Sequence, residues 1–250
     1  YKKFKSPLIL ISSLKILKLQ MKKFKFITKI NLIEHKNLKK SKIDNKSINL
    51  INVEYKQRKI FEKISSKSNT FIKDSFDIAL DILKERISNK FINGPISKKS
   101  FLAKNYLGIT EYLTKKTNTK KTAMLIYNKD FSVCPLTTHL PIKMVAKNIT
   151  KNLIYEKVTL INNFYKKNRS LKPKIAILGL NPHCESIHKF NEDEKILKPA
   201  IKNLFNQGYK TYGPFSADTF FLKDNRKKFD VVIGMYHDQV LTPFKTIFEY

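Results

Sequence analysis

The sequence is poor in the residues that build several familiar sites. It has only two cysteines, Cys134 and Cys184. Two cysteines make no disulfide framework, so the expected setting is a reducing cytoplasm. Its six glycines are Gly94, Gly108, Gly179, Gly208, Gly213 and Gly234. None falls into a GxGxxG or Walker pattern, which excludes both glycine-rich phosphate loops. Any nucleotide cofactor must therefore bind by another scheme. Long apolar runs are also missing: nothing approaches the roughly 18 residues that would span a bilayer. The opening YKKFKSPLILISSLKILKL imitates a signal peptide, but its apolar stretch, Pro7 to Ile11, is short and Lys15 and Lys18 soon follow. The chain starts at Tyr1 and stops at Tyr250 in mid-pattern, so a fragment at both ends is expected.

Arginine is scarce as well: Arg58, Arg86, Arg169 and Arg226 are all there is. The formal net charge of +30 is thus almost entirely lysine. Such a charge invites a nucleic-acid reading. Specific base readout, however, favours the forked guanidinium, the lysines are spread along the whole chain, and no RNA-recognition or zinc-finger pattern is present. Asn and Ile, which share A/T-rich codons with lysine, are abundant too. Compositional drift is the preferred cause, and no nucleic-acid or membrane partner is expected.

What remains is a chain of 250 residues with 42% hydrophobic content, enough for one large domain or two modest ones with a sizeable core. LILIS (8–12) reads as a strand, 13–23 as a short helix, and FKFITKINLI (24–33) as the next strand. The Lys- and Asn-rich 35–48 reads as a solvated loop. Ile72, Phe76, Ala79, Leu80, Leu83 and Ile87 recur at helical spacing and predict an amphipathic helix over 70–88. KFINGPISKKS reads as a short strand, a Gly-Pro turn and a basic helix start that includes Lys98. GITEYLTKKT is helical. TAMLIYNKDFSVCPLTTHLP reads as two strands around an Asn-Lys-Asp turn, and 142–170 as mostly helix. KIAILGL (174–180) and FDVVIGMY (229–236) are continuous apolar strands. Between them, Asn191 and Glu194 resemble a capping box, opening a helix interrupted at Pro199 and closed by Gly208. Strands alternating with helices, several apolar on both faces, predict an α/β fold with largely parallel sheets. Two domains are expected, 1–105 and 106–250.

Of five histidines, His35 and His188 sit among polar residues and read as surface groups. His139 follows VCPLTT, His183 follows IAILGLNP, and His237 follows VVIGMY. Each lies just past a strand-like run. Ligands of open α/β sheets bind outside the carboxyl ends of the strands, and three imidazoles there would suit a divalent metal with open positions. A histidine after a strand also serves as a hydrogen-bonded turn residue, and the long spacings match no local metal signature. Spacing alone leaves both readings open. Cys184 is a conceivable fourth ligand and a better packing residue. Asp218 and Thr219 follow a Gly-Pro turn, and Lys245 stands eight residues beyond His237 on a helix starting near Asp238.

GLNPH, GPFSADTFF and MYHDQVLTPFK, in this order, resemble the 4-hydroxythreonine-4-phosphate dehydrogenase family of vitamin B6 biosynthesis. INGPISK, GITEYL and TTHLP fit the same family, and the likeness runs from about residue 90 to 250. The resemblance implies two α/β/α domains with the active site in the cleft between them. It implies NAD and a divalent metal (Zn, Mg or Co) held by His139, His183 and His237 and shared across a homodimer interface. Thr110 and Lys245 would contact the phosphorylated substrate. Asp218 and Asp238 would lie beside the metal, with either of them or a metal-bound hydroxide as the base; no NAD-binding residue is assigned. The expected reaction is oxidative decarboxylation of 4-(phosphooxy)-L-threonine. Departures are visible. Ile109 replaces the family's His before Thr110, NPHCE is one residue shorter than the family's NPHAGE, and Asn93 stands where Thr is usual. The N-terminal Gly-Asp-Pro loop and the Asn- and Arg-bearing segment after the substrate lysine are not in the sequence. Threonate or erythronate phosphates are alternative substrates. A degenerate paralogue and a non-catalytic basic α/β binding protein are alternative identities.

Overall fold

The structure is a computed structural model that describes residues 6–57, 59–102, 105–106, 108–187 and 190–249; His188 lies outside the described residues. The chain divides into two compact units, 1–112 and 113–250.

In the first unit, β1 (Ile9–Ser12), β2 (Ile30–Leu32) and β3 (Ile48–Asn52) form a parallel sheet in the order β1-β3-β2. Helix α1 (Leu14–Lys23) starts where the Ser13 side chain accepts from the Ile16 amide. Helix α2 (Asn69–Lys84) buries Phe76 and Ala79 of the predicted stripe, together with Ile82, which that stripe did not include. Ile78 and Ile82 of α2 pack with Ile9, Ile11 and Ile51 from the sheet. At the sheet's centre, Asn49 is fully buried, and its amide is satisfied by Leu8 O, Asp44 O and the Asn31 side chain. Two short helices follow, α3 (Lys98–Phe101) and α4 (Ile109–Thr117). Tyr112 packs edge-on against Phe76 and Phe101.

The second unit is a three-layer α/β/α sandwich. Its strands β4 (Ser132–Pro135), β5 (Ile175–Leu178), β6 (Thr211–Phe215) and β7 (Val231–Gly234) are all parallel, in the order β4-β7-β5-β6. Strands β4, β5 and β7 are buried throughout, which explains why they read as continuous apolar runs rather than alternating ones. Their side chains split by parity. Cys134, Ile175, Ile177, Val231 and Ile233 face one layer with α5 (Ile142–Asn148), α6 (Lys151–Arg169) and α7 (Lys198–Asn206). Val133, Ala176, Leu178 and Val232 face the other, with Phe220 of α8 (Ala217–Phe220). Beyond α9 (Lys223–Arg226), helix α10 (His237–Phe248) adds Val240, Leu241 and Phe244 to that second layer. Helix α6 shows why these segments are helical. Thr150 caps it by accepting from the Leu153 amide, Lys166, Lys167 and Arg169 complement the dipole at its far end, and Ser170 closes it in a left-handed conformation.

Several expected elements differ. The strand over 24–33 shrinks to Ile30–Leu32, because helix α1 runs on to Lys23 and Phe24, Phe26 and Ile27 are exposed. The loop over 35–48 contains a 3₁₀ segment, His35–Lys40, anchored by buried Leu38, and β3 begins at Ile48. No strand forms at 90–92, where Ile92 is exposed. TAMLIY gives a single antiparallel bridge, Ile126 to Val133, rather than a strand. The Ser132 hydroxyl takes the Asn128 amide and donates to its carbonyl, so the turn closes locally, and β4 pairs with β7 along its other edge. Strand β6 was not foreseen, because its Gly213-Pro214 pair reads as a turn. Among the described residues, no helix is long and apolar enough to cross a membrane.

Candidate active site at the carboxyl edge of the second sheet

Strand order decides which polar groups meet. Because β4 and β7 are neighbours, the segments leaving them run side by side. The Leu136 amide donates to Gly234 O, and both the Thr137 amide and its hydroxyl donate to Met235 O. Beyond these ties, the His139 and His237 rings stand 5.9 Å apart between centroids. In the same way β5 and β6 are neighbours, so His183 and Asp218 meet, with Nδ1 3.9 Å from Oδ2. All four residues thus leave the carboxyl ends of parallel strands, where the sheet's polar ligands belong.

Each half has its own support. His237 Nδ1 lies 2.7 Å from Asp238 Oδ1. In a neutral ring, a carboxylate partner at this distance places the proton on Nδ1 and leaves the Nε2 lone pair outward. That is the tautomer a metal ligand needs, and a carboxylate on the far nitrogen is the usual way to fix it. His183 follows β5 through a sharp turn in which His183 and Cys184 are both left-handed, at φ 55° and 60°. Its side chain is 75% exposed, against 34% for His237. Cys184 is buried, and burial foremost, followed by nearby Asp193, pushes its thiol pKa up. It packs against Gly179, where an added Cβ would sit 2.6 Å from Cys184 Sγ and 2.9 Å from Asp193 Oδ1. Only a glycine leaves room for this turn.

Asp218 is held by the Ser216 hydroxyl, which donates to Oδ1 at 2.7 Å. That bond is the largest of the influences lowering its pKa; the Thr219 amide and His183 contribute further. The group stays ionised at neutral pH and can accept a proton. Lys245 is exposed on α10, two turns beyond His237. Thr110 lies in the first turn of α4, and Ile109 and Thr110 are half-buried. Among the described residues, no group of three His, Cys, Asp or Glu gathers closely enough to hold a metal ion. The chemistry of the donors fits a divalent metal: two near imidazoles, one with its ligating nitrogen fixed, and a third on the adjoining pair of strands.

Two residues that the sequence did not single out organise this edge. Asp193 is fully buried. It accepts from the Leu180 amide at 2.8 Å, the Asn181 amide at 3.1 Å and the Asn181 side chain at 2.9 Å. It thereby holds the loop that carries His183. The capping pattern marks Asn191, whose side chain does accept from the Asp193 and Glu194 amides; nothing in that pattern marks the acid between them. Gln239 is half-buried in the first turn of α10 and reaches back to Met235 N and Gly179 O. An amide directly after the His237-Asp238 pair was the available signal.

The family model "Pyridoxal phosphate biosynthetic protein PdxA" matches residues 3–249. A 4-hydroxythreonine-4-phosphate dehydrogenase from Sulfurihydrogenibium sp. is 40% identical over 171 residues, covering 67% of this chain and 52% of that protein. The enzyme of that name from Bacteroides thetaiotaomicron is 32% identical over 192 residues, covering 75% and 53%. The chain thus spans about half the length of the curated relatives it matches. A crystal structure of 4-hydroxythreonine-4-phosphate dehydrogenase from Klebsiella pneumoniae superposes with a TM-score of 0.77 at 23% identity, covering 97% of this chain and 76% of that one. At that identity the likeness establishes the fold. The parallel-sheet architecture, the order of the motifs along the chain and the family match over nearly its whole length together place this chain in the PdxA family of pyridoxal phosphate biosynthetic proteins.

Proposed function

We propose that the full-length protein is an NAD-dependent, metal-assisted dehydrogenase. It would oxidise and decarboxylate 4-(phosphooxy)-L-threonine to 3-amino-2-oxopropyl phosphate and carbon dioxide, reducing NAD to NADH, as a step toward pyridoxine 5'-phosphate. The observation that carries this reading is the pairing of His139 with His237, and of His183 with Asp218, past the carboxyl ends of one parallel sheet. When bound, a divalent metal (Zn, Mg or Co) at the three histidines supplies positive charge beside the substrate's 3-hydroxyl, and NAD supplies the hydride acceptor.

The chain's own residues do the rest. Asp238 orients His237 and favours its Nδ1-protonated tautomer, a role that the 2.7 Å contact supports. Asp218, ionised and hydrogen-bonded to Ser216, is the better placed base for the hydroxyl proton, because the Asp238 carboxylate is engaged by His237. Lys245 and Thr110 bind the substrate's phosphate, the lysine as a point charge. The working unit in this reading is a homodimer that shares the metal, and its place is the cytoplasm. Ile109 keeps open a second reading within the family, a dehydrogenase for threonate or erythronate 4-phosphate, because an apolar side chain there cannot make a histidine's hydrogen bond to substrate.

His183→Ala in the full-length protein tests the assignment. Metal content, about one ion per subunit in the wild type, and NADH production should both be lost. Normal turnover in this variant would refute the three-histidine site, and a panel of four-carbon phosphorylated hydroxy acids followed by NADH absorbance separates the two substrate readings.

A further inference from the structure

Strands β5 and β7 pair as Ile175 to Val231, Ala176 to Val232 and Ile177 to Ile233. Continued for two more residues, that register would set Gly179 beside Met235. A side chain stands between them. The Met235 amide donates to Gln239 Oε1 at 2.6 Å, and Gln239 Nε2 donates to Gly179 O at 2.8 Å. A carboxamide carries the same donor and acceptor as a peptide group. Gln239 therefore acts as an extra peptide unit inserted between the two strands at their carboxyl ends. A direct rung spans about 2.9 Å from nitrogen to oxygen; two hydrogen bonds with an amide between them hold the exits further apart.

The surrounding structure is shaped around this insertion. An added Cβ at Gly234 would lie 2.9 Å from Gln239 Oε1 and 2.4 Å from Val240 Cγ1. Glycine at 234 is thus what lets the first turn of α10 descend onto the strand end. The two exits it separates are tied on their outer sides. Met235 O takes both bonds from Thr137, on the segment leading to His139. The loop that continues from Gly179 to His183 is gripped by buried Asp193 at its Leu180 and Asn181 amides. Each exit is a supported piece, and the Gln239 amide is a hydrogen-bonded link between them.

We propose that Gln239 is a positioning residue whose inserted amide sets how far His183 stands from the His139–His237 pair. Its consequence for ligand binding rests on the three-histidine reading above; its consequence for geometry does not. Side chains that support metal ligands without touching the ion typically change metal affinity by about 10–100-fold when removed.

The test uses the full-length protein, wild type and Gln239→Met, which keeps the length and loses both hydrogen bonds. Crystal structures of both give the His183 to His139 separation, and Co²⁺ titration followed by visible absorption gives affinity and ligand field. The expected result is a separation changed by about 1 Å or more, a Co²⁺ affinity lower by about 10–100-fold, and an altered absorption band. Gln239→Glu, which keeps the acceptor for Met235 and loses the donor to Gly179, takes its place if the Met variant does not fold. An unchanged separation overturns the proposal, and so does a changed separation with unchanged Co²⁺ affinity. A wild type that takes up no Co²⁺ refutes the metal reading instead, and the separation alone then decides the role of Gln239.

Discussion

Replacing Asp193 should be among the most damaging single changes to the second unit. The carboxylate is fully buried and receives three hydrogen bonds, Oδ1 from the Leu180 amide and Oδ2 from the Asn181 amide and side chain. Hydrogen bonds to a charged group are worth about 1.5–3 kcal/mol each, and stranding a buried donor costs about 1–3 kcal/mol. The bonds share one acceptor, so they do not add fully. For Asp193→Ala the expected loss is about 3–5 kcal/mol. Asp193→Asn keeps one oxygen and turns an NH₂ toward the donors on the other side, so its loss should be about 1–3 kcal/mol. For a domain of this size each kcal/mol lowers Tm by about 4 °C, which puts Asp193→Ala roughly 12–20 °C below wild type. Urea and thermal unfolding followed by circular dichroism measure both. A loss under about 1 kcal/mol for the alanine variant, or an asparagine variant as unstable as the alanine one, would refute the view that this carboxylate holds the His183 loop by accepting hydrogen bonds.

Two other outcomes follow from the titrating groups. The Ser47 hydroxyl foremost, then the Lys46 and Ser47 amides, hold Asp44 below the usual carboxylate range. A depressed pKa gives stability that is present above the unfolded value and lost as pH falls through the folded one. Asp44→Asn should therefore be less stable than wild type at pH 7, with the gap closing on the acid side of about pH 4; denaturant midpoints at a series of pH values check this, and a gap that widens in acid would count against it. Burial pushes the Cys134 thiol up to about 12 and raises that of Cys184 as well. Neither cysteine should react quickly with an aromatic disulfide reagent at pH 8 in the folded protein, and both should react once it is unfolded; a fast-labelling native thiol would contradict the packing described.

Local order was legible where local physics sets it. The stripe of α2 shows in its 3.6-residue period, and Phe76 and Ala79 are buried as that period requires. The buried strands β5 and β7 show as unbroken apolar runs, because both faces of a parallel sheet are covered. Strand β6 did not show, since Gly213-Pro214 carries a local turn preference that only pairing with β5 overrides. Likewise TAMLIY has the composition of a strand but keeps only the bridge at Ile126, on the edge of β4 that β7 leaves open.

The same division runs through the candidate site. The sequence by itself determined that three histidines follow strand ends, that no glycine-rich phosphate loop is present, and that the motifs resemble one dehydrogenase family. It could not determine which histidines meet. That was decided by the order β4-β7-β5-β6, which sets His139 beside His237 and His183 beside Asp218 across long stretches of chain. Nor could it mark Asp193 and Gln239, whose importance lies in the backbone groups they reach rather than in their own chemistry. The physical reason is common to both cases. Hydrogen bonds between strand exits depend on which strands are neighbours, and neighbours in a parallel sheet are chosen by the packing of the whole layer rather than by any short stretch of sequence.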